Sequence, residues 1–382
     1  MSVKEFTKKY YVKRQGTRCA KWDTMKKKTT LPMWVADMDF KTDEHIINGL
    51  VKRIEHGAFG YTMEPEDYKK AFCDWHQRRH HVEYEEDWIR YSPGAVDGII
   101  ECLYAFTKEK DAVLITTPVY PPFSGSVKRT KRTLVTSPLK DTDNYFTFDY
   151  PDIEKKFRTK NVKAMILCSP HNPLGRVWKK GELEELFDLA KKYNVLIISD
   201  EVHGDLIMPD QEFVPALALK LHRDHVVTLT AVSKTFNLAI FYHSHVLIPN
   251  KKLRKQFDAY QESVHKGDPN QLSLLASYYG YLYGDKWLDG LNEVIYDNYK
   301  YLKKRLSPYC DIVPLEGTYL CFVNFKDRVE NAKKFLLEEC DVYVNAGESF
   351  GKGYDTYARF NLATSHSNIK KACDAIIKAL DK

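Results

Sequence analysis

The sequence predicts an α/β fold, in which a mostly parallel sheet is covered by helices and a smaller α+β domain is attached. Four short apolar runs indicate the sheet: DAVLITTP at 111–118, VKAMILCSP at 162–170, VLIISD at 195–200 and HVVTLTA at 225–231. Strands of parallel sheets are buried on both faces, so they read as nearly continuous hydrophobic runs. Amphipathic helical patterns lie between the runs, as parallel connections require.

The clearest of these helices follows the second run. In KKGELEELFDLAKKYN at 179–194, Leu183, Leu186, Phe187 and Ala190 recur at helical spacing, and lysines occupy the last turn. An apolar stripe with this spacing packs one helix face on a sheet, and positive charge near the C-terminal end suits the helix dipole. The third run starts directly after it, so the segment is predicted to be the helix of a β-α-β unit.

The last hundred residues have a different pattern. GTYLCFVNF and YARFNLA are typical of strands, and SNIKKACDAIIKAL is typical of a closing helix. We therefore expect a large domain at 46–280. The N-terminal arm (1–45) and the C-terminal residues (281–382) would form the smaller domain.

Composition argues against several classes of function. The 382 residues include 58 basic and 52 acidic side chains, and the net charge of +6 gives no reason to expect nucleic acid as a partner. No apolar run reaches the ~20 residues of a membrane span, and the N-terminus lacks the core of a signal peptide. The eight cysteines form no C-x-x-C pair, so we expect reduced thiols in a cytoplasmic protein.

No metal site is predicted, because His76, His80 and His81 lie in a densely charged stretch typical of an exposed face.

Polar side chains follow three of the predicted strands. Asn172 comes after the second run, Asp200 ends the third, and Lys234 follows the fourth. The carboxyl ends of parallel strands border one crevice, where open α/β sheets bind ligands. Lys234 lies within a mostly apolar stretch, TLTAVSKTFNLAIFYHSHVLI, and a buried amine readily loses its proton and becomes nucleophilic. An amine, a carboxylate and a carboxamide at one edge predict a small-molecule site.

Pyridoxal phosphate (PLP) is the cofactor that these groups suit. It needs a lysine for its imine, a carboxylate beside its ring nitrogen, a donor near its ring hydroxyl and a site for its phosphate. In SPGAVDGIIECLYAFTK, Gly94 precedes a predicted helix whose free N–H groups can bind a phosphate. Neither G-x-G-x-x-G nor a P-loop motif is present, so dinucleotide and P-loop nucleotide binding are not supported.

Eight stretches, spread nearly from end to end, occur in a characteristic order. They are LPMWVADMDF (31–40), FGYT (59–62), TPVYPPF (117–123), CSPHNPLGRVW (168–178), SDEVHGDLI (199–207), SKTFNLA (233–239), EGTYL (316–320) and ARFNLAT (358–364). Together they resemble the fold-type I PLP enzymes of the class I/II aminotransferase superfamily. More narrowly, they resemble its cystathionine β-lyase, or C–S lyase, branch. The resemblance implies that the large domain is PLP-binding and aspartate aminotransferase-like.

The resemblance implies roles for the residues around the cofactor ring. Lys234 matches the Schiff-base lysine that also moves the substrate's Cα proton. Asp200 matches the partner of the pyridine nitrogen, and Asn172 matches the partner of the ring's phenolic oxygen. Tyr120 matches the aromatic residue stacked on the ring, so Lys234, Tyr120 and Asp200 are the implied catalytic residues. His203 stands where this branch has a histidine, which could equally have only a packing role.

Other matches concern the phosphate and the substrate. Ala95, Val96 and Ser233 match phosphate contacts, the first two through backbone N–H groups. Tyr61 matches a tyrosine that reaches the phosphate from the partner subunit, which implies a homodimer with shared sites. The substrate-binding matches are Arg359, which grips the α-carboxylate as a planar fork, and Ala36.

Two departures from the family pattern leave the pocket shape open. After SKTFNLA the family continues with glycine, whereas this chain has Ile240, Phe241, Tyr242 and His243. Bulk there could change the packing behind the cofactor. His366 stands where relatives usually carry arginine, and could alter the lip of the site or a surface contact.

The branch implies α,β-elimination of a sulfur amino acid. The expected substrates are L-cystathionine or L-cysteine, and the products are a thiol (homocysteine or hydrogen sulfide), pyruvate and ammonia. An aminotransferase would use the same residues, so reasoning from residue chemistry does not separate the two reactions. A regulatory protein that keeps the fold and cofactor is a further alternative.

Overall fold

The computed structural model describes residues 1–265 and 269–382, and its strands form a seven-stranded sheet, a four-stranded sheet and two short pairs. The strands are β1 (Leu31–Pro32), β2 (Ile89–Ser92), β3 (Ala112–Thr117), β4 (Thr133–Pro138), β5 (Lys140–Thr142), β6 (Tyr145–Thr147), β7 (Val162–Cys168), β8 (Leu196–Asp200), β9 (Val226–Thr230), β10 (Ser244–Leu247), β11 (Asp311–Ile312), β12 (Leu320–Asn324), β13 (Val342–Tyr343), β14 (Asn345–Ala346) and β15 (Tyr357–Asn361). The four predicted apolar runs form β3, β7, β8 and β9.

Helices surround the sheets. They are α1 (Val3–Tyr10), α2 (Ala20–Asp23), α3 (Glu44–Glu55), α4 (Tyr68–His80), α5 (Ala95–Phe106), α6 (Pro122–Arg129), α7 (Tyr150–Thr159), α8 (Lys180–Lys192), α9 (Val232–Thr235), α10 (Lys251–Ser263), α11 (Gln271–Tyr283), α12 (Asp285–Leu306), α13 (Ala332–Glu338) and α14 (His366–Leu380). The predicted helix at 179–194 is α8, and all four of its apolar stripe residues are buried. In the part of the chain described, no helix combines the length and apolar character that crossing a membrane needs.

The seven-stranded sheet has the order β2-β10-β9-β8-β7-β3-β4. Strands β9, β8, β7, β3 and β4 are parallel neighbours, whereas β10 runs antiparallel to both β9 and β2. The prediction of a mostly parallel sheet is therefore confirmed. The carboxyl ends of the parallel strands all lie at one edge, where ligands of such sheets bind.

Each central strand buries side chains on both faces of this sheet. Val113, Ile166 and Ile198 belong to the core layer that includes α5 and α6 residues. Leu114 and Met165 belong to the larger core on the opposite face, which extends to α8 and the small sheet. Because successive side chains of a strand point to opposite faces, both layers draw on the same runs, which explains why the runs lack a polar alternation.

The four-stranded sheet has the order β11-β12-β15-β14 and lies in the C-terminal third. The N-terminal arm joins this part of the molecule, because β1 pairs in parallel with β13, with Leu31 opposite Val342. The domain limits at 1–45, 46–280 and 281–382 stay a prediction.

The histidines of α4 differ from their sequence-based interpretation. His76 is buried, and the His80 side chain is only 7% exposed, so these two do not lie on an exposed face. His80 Nε2 lies 2.8 Å from Asp205 Oδ1. The prediction of an exposed face was wrong for His76 and His80 because they belong to the buried side of α4. Phe72 and Trp75 are buried on the same helix.

Gly98 allows α5 to approach the sheet closely. A Cβ at this position would lie 2.5 Å from Leu229 Cδ2 on β9, and 3.3 Å from Val246 Cγ2 on β10. Such a distance is shorter than packed carbons tolerate. The small residue therefore fixes how near the first turns of α5 lie to the strand ends.

We predict that Gly98→Val lowers the free energy of unfolding by about 1–3 kcal/mol, as overpacking of a filled core does. Gly181→Val is the matched control, since Gly181 is exposed on α8 and its Cβ would meet nothing within 4 Å. The control is expected to stay within about 0.5 kcal/mol of the parent. Urea unfolding of both variants measures the difference, and equal stabilities would contradict the close approach.

Candidate active site

A cavity of about 410 Å³ lies at the carboxyl edge of the large sheet and reaches the small sheet. The structure brings ten of the predicted site residues into its lining: Ala36, Ala95, Val96, Tyr120, Asn172, Asp200, His203, Ser233, Lys234 and Arg359. They come from separate strand ends, from the start of α5, from the N-terminal arm and from β15. The parallel topology explains the convergence, because consecutive strands deliver their following residues to the same edge.

Lys234 lies on the one-turn helix α9, directly after β9. Its Nζ donates a hydrogen bond to the backbone oxygen of Ala36, at 2.9 Å. Burial, followed by the nearby positive charge of Arg359, lowers the pKa of Lys234 to about 8. The amine can therefore lose its proton near neutral pH, which nucleophilic and base roles require.

Asp200 is the last residue of β8 and is 5% exposed. Burial raises the pKa of this carboxyl to about 6, against the opposing effects of the Val202 N–H and the Lys234 charge. The N–H of Val202 lies 3.3 Å from Oδ1. The second carboxyl oxygen can accept a further hydrogen bond, so a ligand N–H at this position would stabilise the charged form.

Arg359 is a buried cation whose partners are neutral. Its guanidinium donates to Asn172 Oδ1 at 2.9 Å, to Asn345 Oδ1 at 2.6 Å and to the Trp34 carbonyl at 2.9 Å. No carboxylate pairs with it among the described residues, and burial lowers its pKa to about 10. Its Nε has no partner within the part of the chain described. A buried, incompletely paired guanidinium favours an anionic ligand with two oxygens.

The start of α5 forms part of the cavity wall. Gly94 precedes this helix, and Ala95 and Val96 open its first turn, where backbone N–H groups have no partner within the helix. Ser233 lines the same cavity. A 12-residue helix directs its positive dipole end at this part of the cavity, which suits a phosphate.

His203 and Tyr120 complete the wall of the cavity. His203 is buried, burial holds its pKa well below the ordinary value, and its Nδ1 has no partner among the described residues. A neutral imidazole with an unused nitrogen can bind a polar ligand group. Tyr120 is partly exposed to the cavity, and its ring packs edge-on against Phe123.

The donor set fits PLP. The start of α5 offers N–H groups to a phosphate, Asp200 offers a carboxylate to a ring nitrogen, and Lys234 offers an amine to an aldehyde. His203 and Arg359 each keep an unpartnered nitrogen atom within the described structure. These are the residues that would hold the cofactor and its amino acid substrate.

Tyr61 does not line the cavity of its own chain. It is fully exposed, in a segment without regular secondary structure that also has the exposed side chains Phe59 and Met63. Its assigned role in the partner subunit's site therefore stays a prediction.

The departures from the family pattern have different consequences. Ile240 is 81% exposed and is absent from the cavity lining, whereas Tyr242 lines the cavity and is 69% exposed. His366 starts α14, outside the cavity lining, and packs against the Tyr301 ring at 4.5 Å. Of the two possibilities for His366, the structure shows the surface contact.

The sequence reasoning missed two contacts of Arg359. Trp34 lay within the stretch LPMWVADMDF, but nothing marked its carbonyl as an acceptor. Asn345 lies opposite Arg359 in the pairing of β14 with β15. That pairing follows only from the tertiary structure, so the sequence held no signal for Asn345.

Comparisons with known proteins give the family of the chain. The family model described as "Aminotransferase class I and II" matches residues 38–376. The chain is 33% identical to the cystathionine beta-lyase PatB of Bacillus subtilis, over 96% of this chain and 98% of that protein. It is 29% identical to the protein MalY of Escherichia coli, over 97% of both chains.

A solved structure of cystalysin from Treponema denticola, which contains PLP, is 34% identical, with a TM-score of 0.93 over 97% of each chain. The PLP-bound C-S lyase from Staphylococcus hominis, complexed with L-cycloserine, is 31% identical, with a TM-score of 0.91 over 97% of this chain and 98% of that one. These matches confirm the resemblance seen in the sequence. The chain belongs to the class I and II aminotransferase family, as a PLP-dependent enzyme of the cystathionine β-lyase and C–S lyase branch.

Proposed function

We propose that the protein is a PLP-dependent C–S β-lyase that acts on L-cystathionine or L-cysteine and releases a thiol, pyruvate and ammonia. The observation that carries the proposal is that one cavity is lined by Lys234, an amine of lowered pKa, by the carboxylate of Asp200 and by the incompletely paired cation Arg359. The names of the relatives support the substrate class, since they include cystathionine β-lyase and C-S lyase.

The central chemical task is removal of the substrate's Cα proton. When bound, PLP supplies the electron sink that takes up the charge left at Cα. Lys234 Nζ is the base that takes the proton, and its lowered pKa matches a base operating near neutral pH. Asp200 favours a proton on the ring nitrogen, because a buried carboxylate gains most from a charged donor.

Arg359 orients the substrate for this transfer. A carboxylate can accept two parallel hydrogen bonds from a guanidinium, which fixes its plane as well as its position. Asn172 and Asn345 hold the guanidinium on the cavity wall through their amide oxygens. With its carboxylate fixed, the amino acid would keep Cα near Lys234 Nζ, which also lines the cavity.

An aminotransferase is the second candidate, because the family description covers that activity. Both reactions use Lys234, Asp200 and Arg359 in the same way until the proton is removed. A lyase then expels the thiolate from Cβ. In an aminotransferase Lys234 would pass the proton on, and a keto acid must accept the amino group in a second half-reaction.

We further propose a homodimer in which each subunit completes the other's site. Exposed apolar side chains on two segments support it: Phe59, Tyr61 and Met63 on one, and Ile240 and Tyr242 on the other. Exposed apolar side chains of this size are typical of protein interfaces when they are contiguous. Tyr242 also lines the cavity, so a second copy covering it would lie at the site.

With L-cystathionine and no keto acid added, we predict steady pyruvate formation, because elimination needs no acceptor. L-alanine has no leaving group at Cβ, so it should give no steady pyruvate and only slow conversion of the cofactor to its amine form. A coupled pyruvate assay with both substrates measures this, and Lys234→Ala is the inactive control. If turnover requires a keto acid and a new amino acid accumulates, the protein is an aminotransferase. Retained PLP with negligible turnover would favour a regulatory role.

Arg359→Ala should lower kcat/KM by about thirty-fold or more, since truncating one partner of a buried charged pair costs roughly 2–5 kcal/mol. The kcat/KM of Arg359→Lys should lie between those of the parent and of Arg359→Ala, because lysine keeps the charge but not the planar fork. Bound PLP is expected to stay near one per chain. Arg305→Ala, on the helix surface of α12, is the control and should behave like the parent. Unchanged kinetics in Arg359→Ala would assign the carboxylate to another group.

Mixing Tyr61→Phe chains with Lys234→Ala chains tests the shared site. If Tyr61 acts across the interface, each mixed dimer has one intact site and one with both changes. A statistical mixture should recover about a quarter of the parent's sites, because half of the dimers are mixed. Subunit exchange is verified by mass spectrometry of the dimers. Full exchange without recovered activity would place Tyr61 in its own chain's site.

A further inference from the structure

A buried hydrogen bond joins the turn that carries Lys234 to the segment that follows Asp200. Thr235 is fully buried, and its Oγ1 donates to Asp205 Oδ2 at 2.7 Å. Neither Thr235 nor Asp205 lines the catalytic cavity. The bond therefore lies behind the site, between two segments that each present residues to it.

Asp205 is itself held from α4. Its Oδ1 lies 2.8 Å from His80 Nε2 and accepts from Trp75 Nε1 at 3.1 Å. Burial opposes ionisation of this carboxyl, but the hydrogen bonds from His80 and Thr235 outweigh it, so its pKa lies well below the ordinary value. The backbone oxygen of Asp205 accepts from Asn292 Nδ2 of α12 at 3.0 Å. The acceptor for Thr235 is thus a charged group in a fixed position.

The helix that carries Lys234 needs such an external anchor. It is a single turn, Val232–Thr235, and one helical turn is not stable on its own. Phe236 closes the turn, and its ring packs against Trp75 with the centroids 5.6 Å apart. Such packing constrains the orientation of the turn less than a hydrogen bond does. The hydrogen bond from Thr235 is directional and comes from the residue next to Lys234.

We propose that Thr235 and Asp205 are positioning residues that fix the Lys234 turn relative to Asp200 and His203. Asp205 follows both of these residues in the segment 200–205, so the bond connects the turn that carries the base to the segment that carries Asp200 and His203. The inference rests on the proposed function, in which Lys234 moves the Cα proton. Without the bond, PLP and the amino acid would still bind, but the amine would be held less well for proton transfer.

The test is the exchange of the Cα hydrogen of L-alanine in D₂O, followed by NMR with the PLP-loaded protein. Exchange requires proton transfer by Lys234 but no leaving group, so it is separate from lyase turnover. Thr235→Val removes the donor with little change of shape, whereas Thr235→Ser keeps the hydroxyl. Thr230→Val is the matched control, since the buried Thr230 Oγ1 has no hydrogen-bond partner within the described structure.

Thr235→Val is expected to lower the saturated exchange rate about tenfold, since a small misplacement of a reacting group can cost up to about a hundredfold. The alanine concentration at half-saturation should stay within about twofold, because Arg359 still holds the carboxylate. Thr235→Ser should restore the rate, and Thr230→Val should leave it unchanged. A second reading is the visible circular dichroism of bound PLP, which should weaken in Thr235→Val and recover in Thr235→Ser.

Coupling between the two residues is tested by adding Asp205→Asn. If they act through one bond, this change should slow exchange less in Thr235→Val than in the parent, because neighbouring partners are not additive. Normal exchange and dichroism in Thr235→Val would overturn the proposal, as would equal losses in Thr235→Ser or in Thr230→Val. If the parent itself exchanges nothing, the proposed function fails, and the dichroism alone then decides the positioning role.

Discussion

Two basic side chains, Lys234 and Arg359, line the same cavity, and the chemistry depends on the repulsion between their charges. Burial, followed by the charge of Arg359, lowers the pKa of Lys234, and the carboxylates of Asp37 and Asp200 compensate only in part. Arg359 is kept charged by oxygens of neutral groups, the amides of Asn172 and Asn345 among them. A ligand carboxylate would pair with Arg359 and would leave Lys234 as the group that changes protonation. The charge of Arg359 therefore contributes both to recognition of an amino acid and to readiness of the base, although burial has the larger effect on the pKa of Lys234.

This arrangement requires that the seven-stranded and four-stranded sheets keep a fixed relative position. A buried cluster of ion pairs around Arg176 stabilises that position. Arg176, which follows β7, is fully buried between the rings of Tyr145 and Trp178, at 4.2 and 4.9 Å from their centroids. It bonds Glu316, which precedes β12, and Glu182 of α8. Two of the sequence stretches that indicated the family thus meet in a contact that serves architecture rather than chemistry. Breaking such a pair leaves an uncompensated buried charge, which is why it fixes the interface of the two sheets.

The fold and the site residues at the strand ends could be predicted, because both follow from patterns within short stretches of the chain. Continuous apolar runs imply parallel strands, and parallel strands imply that Asn172, Asp200 and Lys234 converge. Contacts between segments far apart in the chain have no such pattern in the sequence. Asn345 meets Arg359 through the pairing of β14 with β15, and Thr235 meets Asp205 through the packing of α9 on the segment after β8. Their side chains are ordinary for a strand or a turn, so only the tertiary structure distinguishes them.

The segment that departs from the family pattern relates the shape of the cavity to assembly. Tyr242 has φ of 47° and ψ of 67°, in the left-handed region that a non-glycine residue adopts at a cost. Tyr242 lines the cavity yet is largely exposed, and Ile240, two residues before it, is exposed and is not among the lining residues. Neither position is explained by packing within one chain. In the proposed homodimer both side chains would be covered, and the ring would help close the cavity mouth. Water would then be excluded by the same contact that brings Tyr61 of the partner subunit to the phosphate end, and the pairing of chains would itself raise the strength of the charges around Lys234.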